Sequence, residues 1–414
     1  MTFDADMIKE QYLTAVKKAW LTAEASFPAF LCEIPTERKL VNEAFISHSR
    51  TRLQEPLKGV PKIPWRRKRW KGDLLKLVGE ILYQETIINL HSFLEREELA
   101  AFQEELMEFM RQARSFSPEL SFEEIGQALR NYIVYVMFKK IHQDNSGFSR
   151  AGFGYSMLYP FTDNFIDNVA ASSQEKAKYN RMIRNKLQGR AVSQKTIHHK
   201  KTCDLLKAIE ADFPRETCPM TSQLLLMMLD AQELSLSQQD GATLLSPGSR
   251  LDISLYKGGI SVLIDRYFVR KELTEEDILF YTGMGFFLQL ADDLQDIQED
   301  SERGYQTLFT LDLNPSHEEE LVNRSLHFIH NIMSSYRAEN NRFKDFVLLN
   351  CYQLVYTSIL RSKAFFSEEY LERIERLLPV TRGYYDSFHK EMAINLGLEN
   401  QGQYMKLLDE LIAP

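Results

Sequence analysis

The sequence predicts an all-α protein, and three observations carry that reading. Apolar residues recur at i, i+3 and i+4 through most of the chain, the spacing that lays one face of a helix against a core. Stretches alternating with period two between Gly or Asn-Gly turns are absent. Only 18 glycines and 13 prolines punctuate 414 residues, so tight turns are few and helices long. With 44% hydrophobic residues the chain has material for a sizeable core. Its length suits two or three domains or one large helical unit.

The opening segment, MTFDADMIKEQYL, carries acids where a secretory leader needs a basic and then an apolar stretch, so a cytoplasmic protein is expected. Two segments interrupt the helical pattern. The first, EPLKGVPKIPWRRKRWKGD (55–73), holds three prolines and two of the three tryptophans. It predicts a boundary between an N-terminal helical segment, 1–72, and a main helical body, 73–414. Leu74, Leu77, Val78, Ile81 and Leu82 then share one apolar face. EEIGQALRNYIVYVMFKKI, SQLLLMMLDAQEL and HEEELVNRSLHFIHNIMSSYRAEN repeat the pattern. Helix starts are marked at Ser121 in SFEEIG and at Thr274 in LTEEDI. The second interruption, QQDGATLLSPGSRLD (238–252), is a Gly/Pro/Ser loop. The longest uncharged apolar run, ILFYTGMGFFLQLA (278–291), is too short to span a bilayer and suits a buried helix.

A net charge of −8 argues against general nucleic-acid binding, which wants a basic field. Cys32, Cys203, Cys218 and Cys351 are far apart, with no CxxC pair, and read as reduced thiols. No P-loop, HExxH or Cys/His zinc spacing is present. Residues 58–71 mix Lys58, Lys62, Arg66, Arg67, Lys68, Arg69 and Lys71 with Trp65 and Trp70. That mixture suits peripheral contact with an anionic membrane; a basic linker, or a contact with an acidic face of the same chain, is the plainer reading.

The chemistry concentrates in FFLQLADDLQDIQED (286–300). Residues four apart on a helix share a face, so Asp292 and Asp296 align, with Asp293 beside them, Gln289 one turn earlier and Asp300 extending the stripe. Carboxylates so spaced suit Mg²⁺, a hard ion that takes oxygen ligands. A solvated acidic face is the alternative, although the apolar run before the acids implies a buried helix. Upstream, GYSMLYPFTDNFIDN places Asp163 and Asp167 four apart after another uncharged stretch. Between the two, SLYKGGISVLIDRYF sets Lys257 beside Gly258 and Gly259, a pair that costs a helix roughly 2 kcal/mol against alanine. The glycines permit a kink or a close backbone approach to a bound group, and Lys257 suits an anion. A helix–helix turn with a solvated lysine is the alternative.

These residues resemble the class I isoprenoid (terpenoid) synthases. LQLADDLQD is similar to their second aspartate-rich motif, Gln-x-x-Asp-Asp-x-x-Asp, through Gln289, Asp292, Asp293 and Asp296. DNFID resembles the first, with Asp163 and Asp167 as its outer acids, and YKGGISVL resembles the lysine-bearing diphosphate region of the prenyl-chain synthases. Order and spacing agree from about residue 125 to 310. The resemblance implies one antiparallel helical bundle around a deep apolar pocket. It implies Mg²⁺, usually three ions, bound by Asp163, Asp167, Asp292, Asp293 and Asp296 together with a prenyl diphosphate. Gln289, Gly258 and Gly259 then lie at the substrate, with Tyr155, Tyr159, Phe161, Phe286 and Phe287 as pocket lining or simple core packing. Lys257, Arg303 and Tyr305 act on the diphosphate, the last two closing over it from ERGYQTLFT; a basic residue at a helix C-terminus followed by a loop is the alternative for those two. Arg382, Tyr384 and Tyr385 form a second candidate lid, whereas Arg184 and Lys186 read as surface.

Two departures bear on subclass. Asn164 stands where chain-elongating synthases typically have a second adjacent Asp, and no Gly-Gly-Lys-x-x-Arg-like motif for isopentenyl diphosphate precedes it. The second motif also differs from the Asn/Ser/Glu pattern of typical microbial terpene cyclases, although some larger bacterial terpene synthases and the squalene and phytoene synthases use acids there. The resulting expectation is a terpene synthase acting on one prenyl diphosphate. Prenyl transfer, elongating or head-to-head, is the alternative, and a non-catalytic helical protein the second. Homodimers are usual for such folds.

Overall fold

The structure, a computed structural model, describes residues 4–167, 171–239, 243–395 and 398–413; the side chains of Asp167 and of residues 392–401 lie outside that description. In chain order the helices are α1 (Ala5–Met7), joined by a π-helical turn to α2 (Leu13–Thr22), α3 (Thr36–Leu57), α4 (Pro64–Gln84), α5 (Arg96–Phe116) and α6 (Phe122–Ile141). Next come α7 (Arg150–Asp167), α8 (Ser173–Leu187), α9 (Ile197–Asp212), α10 (Pro219–Ser235), α11 (Pro247–Val269) and α12 (Glu275–Gln295). The last are α13 (Ile297–Arg303), α14 (Pro315–Ser335), α15 (Asn341–Arg361), α16 (Glu368–Leu377), α17 (Arg382–Asn395) and α18 (Leu398–Ile412). No strand occurs among the described residues, as the all-α reading expects. None of their helices is long and apolar enough to cross a membrane.

Two compact units divide the chain, and neither is continuous in sequence. The first comprises residues 1–31, 137–145 and 149–372; the second comprises 32–136, 146–148 and 373–414. The boundary expected near residue 72 falls inside α4. Pro56 sits in the last turn of α3 and Pro64 opens α4, where its fixed φ suits a first helical turn. The sequence interruption therefore narrows to residues 58–63.

In the first unit α12 is the axis, packed by α11, α14, α15 and α2. Thr274 caps it, its hydroxyl accepting from the Asp277 amide while the Asp277 carboxylate accepts from the Thr274 amide. Ser246 caps α11 in the simpler way, accepting from the Ser249 amide. Trp20 of α2 meets Phe286 and Phe328 edge-on, at 5.4 and 5.8 Å between ring centres. Glycine lets α11 and α12 touch. A Cβ on Gly285 would lie 2.1 Å from the Gly258 carbonyl oxygen, and one on Gly259 would lie 2.7 Å from the Thr282 methyl.

In the second unit, the Tyr132 hydroxyl donates to Glu105 at 3.0 Å and its ring stacks on Phe109. The Asn42 amide donates to the Pro379 carbonyl at 2.8 Å, and Arg114 pairs with Asp409 at 2.7 Å. Chain segments far apart in sequence are joined by these contacts.

Candidate active site

The site is built within the first unit, and three contacts fix its register. Arg150, at the start of α7, bonds the Asp212 carboxylate at the end of α9. Lys271, just past the end of α11, donates to the Asp212 carbonyl at 3.1 Å. So α7 begins where α11 ends, and the Tyr155 hydroxyl donates to the Ser261 carbonyl at 3.1 Å. Asp163, two turns beyond Tyr155, therefore lies level with the N-terminal half of α11. The other flank runs the same way. Arg266 pairs with Asp277, Gly258 abuts Gly285, and Ser254 bonds Asp293, so α12 is also antiparallel to α11. Both aspartate motifs emerge at one end of α11.

Asp293 is buried, and its two oxygens accept from neutral donors: Gln289 at 2.8 Å and Ser254 at 3.2 Å. Burial, then the nearby Asp292 and Asp300 carboxylates, push it up to about 7 against the Gln289 bond and the Lys257 charge. Lys257 stands one turn after Ser254 on α11, so the sequence-predicted lysine and acid motif do meet electrostatically. Asp163 is also buried, and its carboxylate accepts from Gln232 of α10 and from Thr162. The Asp167 side chain lies outside the described residues.

Beyond Asp293 the acids become accessible. Asp292 is exposed and Asp296 half-buried, raised by burial while Gln295, Arg361 and Arg303 oppose the shift. Asp300 is pushed up to about 7 by burial and by Asp296, Asp292 and Glu299. Arg303 ends α13, where Gly304 takes the left-handed φ of 72° that closes a helix at little steric cost. Its guanidinium pairs with Glu299 at 2.5 Å and lies 5.9 Å from the Tyr305 ring centre. Arg303 and Tyr305 are thus at the acid end.

Other expectations separate. The kink permitted at Gly258–Gly259 is not taken: α11 runs unbroken, and the close backbone approach is to α12. Both glycines are buried where α11 touches α12. Among the aromatic side chains, Tyr155, Phe161 and Phe286 have different partners. Tyr155 faces α11, Phe161 packs beside His198 at 5.4 Å, and Phe286 faces Trp20 and Phe328. Phe287 is fully buried and Tyr159 is 39% exposed. Arg184 is anchored between Asp230 and Glu233, each at 2.7 Å, one turn or less from Gln232. Tyr384 lies in the second unit with its hydroxyl 2.8 Å from that of Ser47.

Sequence reasoning missed Ser254, Gln232, Arg361 and Asp265. Ser254 was legible in principle, being one turn from Lys257 on the same face. Gln232 and Arg361 reach the acids from helices distant in sequence, which no local pattern reveals. Asp265, beside Arg266 on α11, is buried and pushed well above the carboxylate range by that burial. Its Oδ1 has no hydrogen-bond partner among the described residues.

Among the described residues, no three His, Cys, Asp or Glu side chains are already grouped as a metal's ligand set. The acid end nevertheless fits Mg²⁺ in donor chemistry: Asp292, Asp296 and Asp300 offer only hard oxygen donors, and Asp296 and Asp292 crowd Asp300 enough to help raise its proton affinity. No protein-family model matches the chain, and no curated protein shows significant similarity to it.

Proposed function

We propose that the protein is a Mg²⁺-dependent class I terpene synthase that ionises an allylic prenyl diphosphate and directs the resulting carbocation to a terpene. The observation that carries this reading is the delivery of both aspartate motifs to one end of α11, with Asp293 of the second within reach of the Lys257 charge. On this reading the bundle encloses an apolar pocket that opens at that end. Mg²⁺, when bound there with the substrate, supplies Lewis-acid stabilisation of the departing diphosphate.

The chain's own residues do the rest. Asp292, Asp293 and Asp296 on one side and Asp163 on the other present the oxygen donors. Ser254, Gln289 and Gln232 hold the buried acids in place through the bonds described above. Lys257, Arg303 and Arg361 are the cations whose charge already acts on this acid cluster, and they stabilise the diphosphate as its negative charge develops. The C–O bond breaks with both electrons leaving on the diphosphate, and the buried walls of α7, α11 and α12 exclude water from the cation.

The test is Mg²⁺-dependent pyrophosphate release from single allylic diphosphates of increasing chain length, with and without isopentenyl diphosphate, and mass spectrometry of the organic extract. Release from one substrate alone is expected, falling about a hundredfold or more in Asp292→Ala. Release only when isopentenyl diphosphate is present would replace this reading with prenyl transfer. No release under any combination would remove the enzymatic reading.

A further inference from the structure

One strongly charged surface plays no part in the acid-lined site. Residues 58–71 carry seven cations and no acid, in a chain of net charge −8. Part of that charge is spent inside the second unit: Arg67 pairs with Glu410 at 3.1 Å, Lys58 with Glu55, and Lys71 donates to the Ala413 carbonyl. Trp70 is anchored too, its ring N–H donating to the Pro56 carbonyl at 2.9 Å. The remainder faces outward. At 100° per residue, Trp65, Lys68, Arg69, Gly72 and Lys76 fall on one face of α4. Lys68 and Lys76 are exposed, with no acidic partner among the described residues. The Arg69 side chain is 78% exposed, with a long contact to Asp73 at 3.6 Å. Gly72 faces open space.

Trp65 is the unusual member of this face. It is 63% exposed, with the Arg66 guanidinium 5.2 Å from its ring centre, and Ile63 beside it is exposed as well. A cleft of about 420 Å³ opens alongside, lined by Pro56, Trp65, Arg66, Arg69, Trp70 and Leu74. A large aromatic ring left in water at the start of a cationic stripe matches the headgroup layer of a bilayer, where one end of the environment is apolar and the other charged. Nucleic acid fits less well, because the chain as a whole is acidic, with a net charge of −8.

We propose that this face of α4 docks the protein on an anionic lipid bilayer, with Trp65 entering the headgroup layer and Lys68, Arg69 and Lys76 facing acidic headgroups. The proposal is independent of the catalytic reading. The full chain is sedimented with vesicles of phosphatidylcholine alone or with one part in three phosphatidylserine, at low and high salt. Binding is expected only to the anionic vesicles, and salt reverses it. Neutralising Lys68→Gln with Lys76→Gln weakens partition roughly thirtyfold. Trp65→Ala weakens it about tenfold and removes the blue shift of tryptophan emission that vesicles induce. Both variants change exposed side chains, and unchanged melting curves verify their folds; Lys76→Gln alone, the change furthest from the cleft, serves if the double variant melts early. Equal binding to neutral vesicles, unchanged partition of the variants, or binding to duplex nucleic acid in place of vesicles would each overturn the proposal.

Discussion

The two ends of the α11–α12 pair solve the same electrostatic problem in opposite ways. At one end Asp277 is buried and satisfied many times over. Arg266 approaches it bidentately at 3.1 and 2.8 Å, Tyr336 donates at 2.7 Å, and the Thr274 amide and hydroxyl both donate at 2.9 Å. Burial works to raise its proton affinity, but Arg266 and these donors outweigh burial and hold it below the usual carboxylate range. At the other end Asp293 is as deeply buried, yet its two oxygens accept from an amide and a hydroxyl, and acidic neighbours push it upward. The closed end carries its own counter-charge. The open end gathers acids whose mutual charge, with burial, pushes Asp293 and Asp300 up to about 7. A helix pair that merely needed to be stable would neutralise both ends, and the asymmetry is what the proposed function puts to use.

The largest test of the contrast removes the closed end's anion. Asp277→Ala leaves Arg266, itself 4% exposed, buried without its carboxylate, and strips Tyr336 and Thr274 of their acceptor. Breaking such a pair typically costs about 3–5 kcal/mol, read as a lower urea midpoint at unchanged slope. A loss below about 1 kcal/mol would mean the closed end is not what secures these helices.

A second test uses pH at the same end. The His142 ring nitrogen lies 2.8 Å from the Tyr281 hydroxyl. Burial, then the Arg266 charge, lowers its pKa from 6.5 to about 4. The native state thus refuses a proton that the unfolded chain accepts. Stability is full above pH 6.5 and declines as pH falls from 6.5 to 4, by roughly 3 kcal/mol for a shift of that size. His142→Gln, which retains a partner for Tyr281, is expected to flatten this limb of the stability–pH curve. Asp277 acts lower, below its ordinary value of 3.8, so the two windows separate. An unaltered limb in the variant would assign acid sensitivity elsewhere.

How much of this contrast was legible in the sequence follows from the range of each interaction. Helices, their caps at Ser121 and Thr274, and the burial of the 278–291 run depend on neighbours within a turn, and they read directly. The acid end was legible for the same reason: Gln289, Asp292, Asp293 and Asp296 are one stripe of one helix. The Gly258–Gly259 pair was ambiguous because glycine reports only that something comes close. Here the close group is Gly285 and Thr282 of α12, which lie 23 or more residues away in sequence. The closed end was invisible for a related reason. Arg266 and Asp277 sit on different helices, and Tyr336 arrives from beyond α14. Nor could the discontinuous second unit be anticipated, since Asn42 finds its partner at Pro379.

The smallest effect on the protein alone, and the sharpest on the contrast, comes from Asp293→Asn. The variant keeps an acceptor for Gln289 and offers its amide to the Ser254 hydroxyl, which can turn to accept. It removes a buried charge whose neighbours are acids, so without divalent ion it should be as stable as the wild type or about 1 kcal/mol more stable. The same change at the closed end, Asp277→Asn, should instead destabilise, because there the charge is matched by Arg266. Adding Mg²⁺ with pyrophosphate then reverses the order at the open end. A ligand held a hundredfold above its dissociation constant stabilises by about 2.7 kcal/mol, and the wild type should gain more than Asp293→Asn from the same mixture. Equal gains in melting temperature would sink the idea that the open end awaits a cation. A gain confined to the wild type would mean that the ion neutralises the acids at this end of α12, just as arginine neutralises Asp277 at the other.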